Sequence, residues 1–217
     1  MRIRIDLKIF IFLVIFYFTK QIELYGLVML FAILHEIGHL IAGLICGFKP
    51  DKIKIMPIGL SISFKIPIEY YNEKIEKSNL LCLKKAMIAI AGPLTNVIIA
   101  GIFMFFKFGM YDLDRLNIVY SNLLICVFNL LPIYPLDGGR ILKQLVKLKK
   151  GVVYSLKIVH IVQNITIITL TFISSIAILY FKNIAILFVL VYLWILVIKE
   201  NKIWNIWKAL DLFGFKI

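Results

Sequence analysis

Long apolar runs separated by short charged segments dominate this chain. The runs are Leu7–Thr19, Leu24–Phe48, Ala86–Phe106, Leu116–Leu136, Ile158–Phe181 and Asn183–Ile198. A helix that crosses a bilayer needs about 20 apolar residues. The pattern therefore predicts an all-α polytopic membrane protein with about six transmembrane helices. The first run is short. It must draw on Ile3 and Ile22, or let Lys8 and Lys20 reach the surface. No small-residue cleavage site follows it, which argues against a signal peptide. Between the second and third runs the period changes. Lys52–Met56 and Leu60–Ile66 alternate polar and apolar residues around Pro57-Ile58-Gly59, which predicts a small membrane-associated β-hairpin. Its second strand is a candidate edge for pairing with an extended peptide. Ile203–Leu210 has helical apolar spacing with Trp and Lys at its margin and reads as an interfacial helix. Residues 1–217 are expected to form a single domain.

Composition agrees with this. The chain is 62% hydrophobic with a mean hydropathy of +0.95, far above a soluble domain. Its net charge of +13 lies between the apolar runs rather than along one helix face. This points to the bilayer as the partner and away from direct nucleic-acid binding. With six spans and an inward N-terminus, four of the 25 basic residues fall outside: Lys20, Lys107, Arg115 and Lys182. The other 21 face the cytoplasm, which sets both termini and the two long loops there. Lys143–Lys157 is then a basic anchor for anionic lipid at the boundary. Cys46, Cys82 and Cys126 fit no C-x-x-C pattern and imply no disulfide framework.

Against this background His35-Glu36-Ile37-Gly38-His39 stands out, an H-E-x-x-H motif inside an almost uncharged run. Residues four apart share a helix face. His35 and His39 can thus bind one zinc ion, while Glu36 can act as general base. A catalytic zinc usually takes three protein ligands. One candidate for the third is Asp137, in Pro132-Ile133-Tyr134-Pro135-Leu136-Asp137-Gly138-Gly139, where prolines and glycines break the helix at the membrane face. His160 is another candidate, though a histidine there reads more readily as packed. Ala91-Gly92-Pro93-Leu94-Thr95-Asn96 interrupts the third run and predicts a kinked, tightly packed helix. Asn129 is a lone amide in an apolar helix and needs a partner. Asn129, Asn96 and Pro135 are the candidates for contact with the substrate or the oxyanion.

Taken together, the H-E-x-x-H motif, Ala91–Asn96 and Phe128–Gly139 resemble the site-2 protease family of intramembrane zinc metalloproteases. Within that family the chain looks most like the sporulation proteases that process the precursor of sigma factor K. The resemblance implies one Zn2+ per chain held by His35, His39 and Asp137, with Glu36 as base. Asn129 would lie near the scissile bond. It also implies a membrane-associated protein substrate cut near the cytoplasmic face, a pro-sigma-K precursor in the sporulation branch. There the protease would sit in the mother-cell membrane around the forespore, restrained by inhibitory membrane proteins. Pro135-Leu136-Asp137 replaces the commoner N-P before the final D-G, as in the sporulation group. No CBS or PDZ domain is expected. The pattern leaves a homo-oligomer open.

Other readings compete. A housekeeping protease of the same class would act on remnant signal peptides or a membrane-anchored regulator. A metal transporter would string its ligands along a path, but few polar residues lie in the other runs. An inactive scaffold would have no need of Glu36 beside the histidine pair.

Overall fold

The structure, a computed structural model, describes residues 2–5, 10, 14, 17–18, 22–56, 59–66, 75–106, 112–181 and 185–212. The chain divides into two compact units, Met1–Asn129 and Leu130–Ile217. The expected first span, Leu7–Thr19, lies largely outside the described residues. Among the described residues three helices are long and apolar enough to cross a membrane: they contain Tyr25–Ile45, Ser78–Phe105 and Asp137–Tyr180. Six such spans are not present among the described residues. The fourth and sixth expected runs do fold as helices, but Asp112, Asp114 and Arg115 load one and Lys199, Glu200 and Lys202 the other with charge.

The first unit is built on helix α1 (Ile22–Ile45) packed against α2 (Ile75–Phe105) and α3 (Asp112–Asn129). Phe31, Ala32, His35, Gly38 and His39 form a buried stripe at steps of three and four along α1. Leu30, Ile37, Ile41, Leu44 and Ile45 are equally apolar but exposed. Apolar residues on both the packed and the outer face are the mark of a helix whose solvent is lipid. The facing stripe of α2 is made of small residues, with Ala86, Ala89, Gly92 and Ala100 all buried. Small residues let two backbones approach closely. A Cβ on Gly38 would stand 2.1 Å from Thr95 Oγ1 and 2.9 Å from the Ala91 carbonyl. Pro93 lies within α2, and the helix continues through it.

Helix α1 ends in a Schellman turn. Gly47 adopts φ 82°, the Gly47 N–H donates to the Leu44 carbonyl and the Phe48 N–H to that of Gly43, both at 2.9 Å. Lys84 Nζ caps the end further by donating to the Cys46 carbonyl at 2.9 Å. Phe48, now turned inward, packs with Cys46 and Leu81 and with Phe64 and Ile66 beyond them. That cluster seats a sheet beneath the helix. The expected hairpin is present as β2 (Lys49–Met56) and β3 (Gly59–Lys65), antiparallel, with Ile53 opposite Ile62. A third strand, β1 (Arg2–Ile5), pairs in parallel with β2, Arg2 opposite Lys52. The order β1-β2-β3 puts β2 in the middle and, among the described residues, leaves β3 as an edge. Four residues at the N-terminus are too short a pattern to announce a strand.

In the second unit, residues Leu130–Leu136 are not helical, so the expected run Leu116–Leu136 is cut short at Asn129. Pro132 and Pro135 explain the stop, since each removes a donor and disfavours a helical residue before it. Helix α4 (Asp137–Phe181) then begins and turns at Gly151, where φ is 84°. The turn separates the basic segment Lys143–Lys150 from the apolar one that follows. Helix α5 (Ala185–Leu212) joins the expected last span and the interfacial segment in one helix. It packs antiparallel to α4 through Val159, Ile167, Leu190, Leu193 and Val197, all buried. Four amide or indole bonds between described residues cross the pair: Trp194 Nε1 to Thr171 Oγ1 at 2.9 Å, Gln163 Nε2 to Asn201 Oδ1 at 3.0 Å, Asn201 Nδ2 to Asn164 Oδ1 at 2.8 Å and Asn164 Nδ2 to Asn201 Oδ1 at 3.4 Å. In a bilayer each contributes on the order of 0.6 kcal/mol.

The seat of the sheet on α1 is open to test. A Cβ on Gly43 would meet Phe64 ring carbons at 2.3 Å. Gly43→Ala should lower stability by about 1–3 kcal/mol, read as a drop in thermal midpoint. Adding Phe64→Ala should make the double variant less destabilised than the sum of the two singles.

Candidate metal centre

A histidine buried in an apolar helix must place its ring N–H against an acceptor. His35 and His39 are 3% and 4% exposed, and each solves this at Nδ1. His39 Nδ1 meets the Ile88 carbonyl at 2.7 Å. His35 Nδ1 meets Asn96 Oδ1. An oxygen in that position holds the proton on Nδ1 and gives Nε2 the role of acceptor or ligand. The two Nε2 atoms then converge to 3.2 Å. With both protons held at Nδ1, that spacing suits a cation shared by the two nitrogens. Tetrahedral zinc with Zn–N bonds of about 2.0–2.1 Å would hold two nitrogens about 3.3 Å apart. The donor set therefore fits such an ion.

The chain of support runs deeper. Asn96 is fully buried, and its Nδ2 donates to Asn122 Oδ1 at 2.9 Å. Asn122, also fully buried, donates to the Ile118 carbonyl at 2.9 Å. One network thus ties α1, α2 and α3 to the orientation of a single imidazole. Opposite the rings stands Gly92. A Cβ there would lie 2.4 Å from His39 Nε2 and 2.6 Å from His35 Nε2. The missing side chain leaves the space in which an ion would sit. Glu36, one residue beyond His35, is half-buried at the rim of the stripe.

Asn129 is the last residue of α3, and its Nδ2 donates to the Ile125 carbonyl of its own helix at 3.0 Å. In the second unit Asp137 is buried and opens α4. Arg140 Nη1 lies 3.5 Å from its Oδ1, a partner one turn on. The chain before it is packed against the following glycines. A Cβ on Gly138 would come within 2.1 Å of the Leu130 carbonyl, and one on Gly139 within 2.4 Å of the Tyr134 amide nitrogen. Pro135 lies in this tight turn. The expected alternative, His160, stacks on Trp204 with ring centroids 5.2 Å apart, a packed histidine.

From the sequence, Gly92 reads as part of a kink, packed or opening a cavity, and Asn122 is passed over. Asn122 was open to the argument applied to Asn129, since an amide alone in an apolar helix must have a partner. Nothing in the sequence identifies the Ile88 carbonyl, because every residue has one.

Comparison with known proteins bears on these residues. Residues 24–112 and 116–173 match peptidase family M50. A zinc metalloprotease of Methanocaldococcus jannaschii is 33% identical over 157 residues, 69% of this chain and 42% of the relative. The stage IV sporulation protein FB of Bacillus subtilis is 24% identical over 123 residues, 52% of this chain and 37% of the relative. The chain thus spans less than half the length of either. The solved structure of a site-2 protease from Methanocaldococcus jannaschii superposes with a TM-score of 0.62 at 28% identity. It covers 91% of this chain and 89% of that one.

Two substitutions test the centre by its metal content. Gly92→Ala should abolish stoichiometric zinc in the purified protein, measured by atomic emission, while helicity is kept. Asn96→Leu should weaken zinc affinity about 10–100-fold, read by competition with a chelator. Unchanged affinity would remove Asn96 from the support of His35.

Proposed function

The chain belongs to peptidase family M50, and we propose that it is a zinc-dependent intramembrane endopeptidase of the site-2 type. The observation that carries this reading is the convergence of the two Nε2 lone pairs, each fixed by an oxygen at Nδ1, over a glycine. His35, His39 and Asp137 would hold the metal. Each is buried and offers one ligand atom. The turn packed on Gly138 and Gly139 supports the role of Asp137, since it fixes the carboxylate at the helix start. The two compact units would then work as one catalytic domain.

When bound, zinc supplies the Lewis acidity that makes water a nucleophile near neutral pH. Glu36 accepts the proton of the attacking water and returns it to the leaving amine. Asn96 and Asn122 keep the His35 ring from turning. Asn129 retains one amide hydrogen beyond its helix bond and is the candidate donor to the oxyanion. Pro135 shapes the turn before Asp137. The substrate enters as an extended segment paired with β3, which has a partner strand on one side only among the described residues. The contact of Phe64 with Gly43 ties that strand to the helix that carries Glu36.

Family membership makes the chain an integral membrane protein. We place both termini in the cytoplasm. The pairing of β1 with β2 supports this, because strands of one sheet lie on one side of a bilayer. The substrate we favour is a sporulation pro-sigma factor, on the likeness to the sporulation protein FB and the Pro135-Leu136-Asp137 variant. Inhibitory membrane partners and the mother-cell membrane belong to that reading. The higher identity to the Methanocaldococcus jannaschii metalloprotease favours a second one, a housekeeping protease acting on other membrane-anchored segments.

Co-expression with a tagged pro-sigma factor tests both. The parent should yield a shortened product, and Glu36→Gln should lose about 10²–10⁴-fold in rate while retaining zinc. Cleavage by Glu36→Gln at the parent rate would end its role as base. Asp137→Asn should lose both metal and activity, and full zinc occupancy would remove it from the ligand set. A zinc-loaded parent that leaves pro-sigma intact but cuts a signal-peptide remnant selects the housekeeping reading.

A further inference from the structure

Away from the metal centre, the second unit holds a cavity of about 110 Å3 between α4, α5 and the turn before Asp137. That is far above the ~10–15 Å3 that one water needs. Lys143, Glu200, Gln163 and His160 line it together with Tyr134, Trp204 and Trp207. Nothing in the proposed proteolysis uses these groups.

Their chemistry is specific. Gln163 is 2% exposed, and while its Nε2 is bonded to Asn201, its Oε1 is buried with no hydrogen-bond partner among the described residues. A buried amide oxygen without a donor costs about 1–3 kcal/mol, so the cavity calls for a ligand that donates. Glu200 adds a carboxylate, and burial pushes its carboxyl above the ordinary range, with Lys143 and Lys199 opposing that. Three rings, His160, Trp204 and Trp207, stack in series with centroids 5.2 and 5.3 Å apart, and two of them are indoles, the faces that best attract a cation. A cation alone would meet Lys143, whose ammonium stands 4.6 Å over the Tyr134 ring. An anion alone would meet Glu200. A ligand that carries both charges and has N–H donors complements every one of these groups.

We propose that this cavity binds a zwitterionic primary amine that carries its own anion, the chemistry of a phosphoethanolamine headgroup. The ammonium would donate to Gln163 Oε1 and Glu200 beside the indole faces, and the phosphate would face Lys143. The location suits a lipid. The apolar stretch Ala185–Ile198 of α5 ends at Lys199-Glu200, and Trp204 and Trp207 follow, the sequence of a helix leaving the hydrocarbon through the headgroup layer. A choline headgroup carries the same charges but has no N–H, so Gln163 Oε1 distinguishes the two.

The test is native mass spectrometry of the full chain in detergent, titrated with dihexanoyl phosphatidylethanolamine, phosphatidylcholine and phosphatidylglycerol, and with free phosphoethanolamine. Trp204 and Trp207 are two of the three tryptophans, so emission shifts give a second readout. The ethanolamine lipid should bind about tenfold more tightly than the choline lipid. Gln163→Leu should erase that preference with choline binding unchanged, whereas Glu200→Gln should weaken both. Binding of the free headgroup as tightly as the lipid assigns a soluble ligand to the same site, and tighter lipid binding assigns the bilayer. Equal binding of ethanolamine and choline lipids, preference for the glycerol lipid, or a preference that survives Gln163→Leu overturns the proposal. Absence of binding by any of them leaves the cavity to water and overturns it as well.

Discussion

An imidazole in a bilayer cannot leave its N–H unsatisfied, and the first unit is organised around that constraint. Two rings must each find an oxygen, and both must find it on the side away from the metal. The Ile88 carbonyl and the Asn96 amide supply it, and they come from the same helix, α2. This fixes the rotation of α2 about its axis and its distance from α1. Close approach then demands glycine and alanine along the shared face, so the composition of the stripe follows from the placement of two protons. Asn96 in turn needs Asn122, which brings α3 to the same depth.

The two units use polar groups differently. In the first, the Asn96 and Asn122 amides stand in series behind a candidate ligand and hold its ring in one tautomer. In the second, Asn164, Asn201, Thr171 and Trp194 join α4 to α5 and serve the packing of the helices. Gln163 belongs to both patterns, with one end in the helix joint and the other facing a cavity.

Much of this was legible in the chain. The period-two alternation of Lys52–Met56 and Leu60–Ile66 gave the hairpin because one face of it had to pack. The H-E-x-x-H spacing gave the buried pair because four residues make one turn. The prolines at 132 and 135 marked the place where the helix gives way before Asp137. At α3 and α5 the helices found are not those of the apolar run alone, because charges at the helix ends extend the helix past it. β1 was hidden because four residues carry too little pattern and their partner lies fifty positions away. Gly92 was visible, but its purpose was not. A glycine can mean a turn, a kink or a gap, and only the positions of the two rings show that here it is a gap.

The parallel pairing of β1 with β2 also imposes an order in time. Arg2–Ile5 is made before Lys49–Met56, and among the described residues it has no strand to pair with until that segment, after the whole of α1, has followed. For that interval the N-terminus is an unpaired strand whose polar backbone can only be kept in water. Closing the sheet then requires both strands to lie on one side of the bilayer, so a pairing of a few residues constrains how the whole segment between them is inserted.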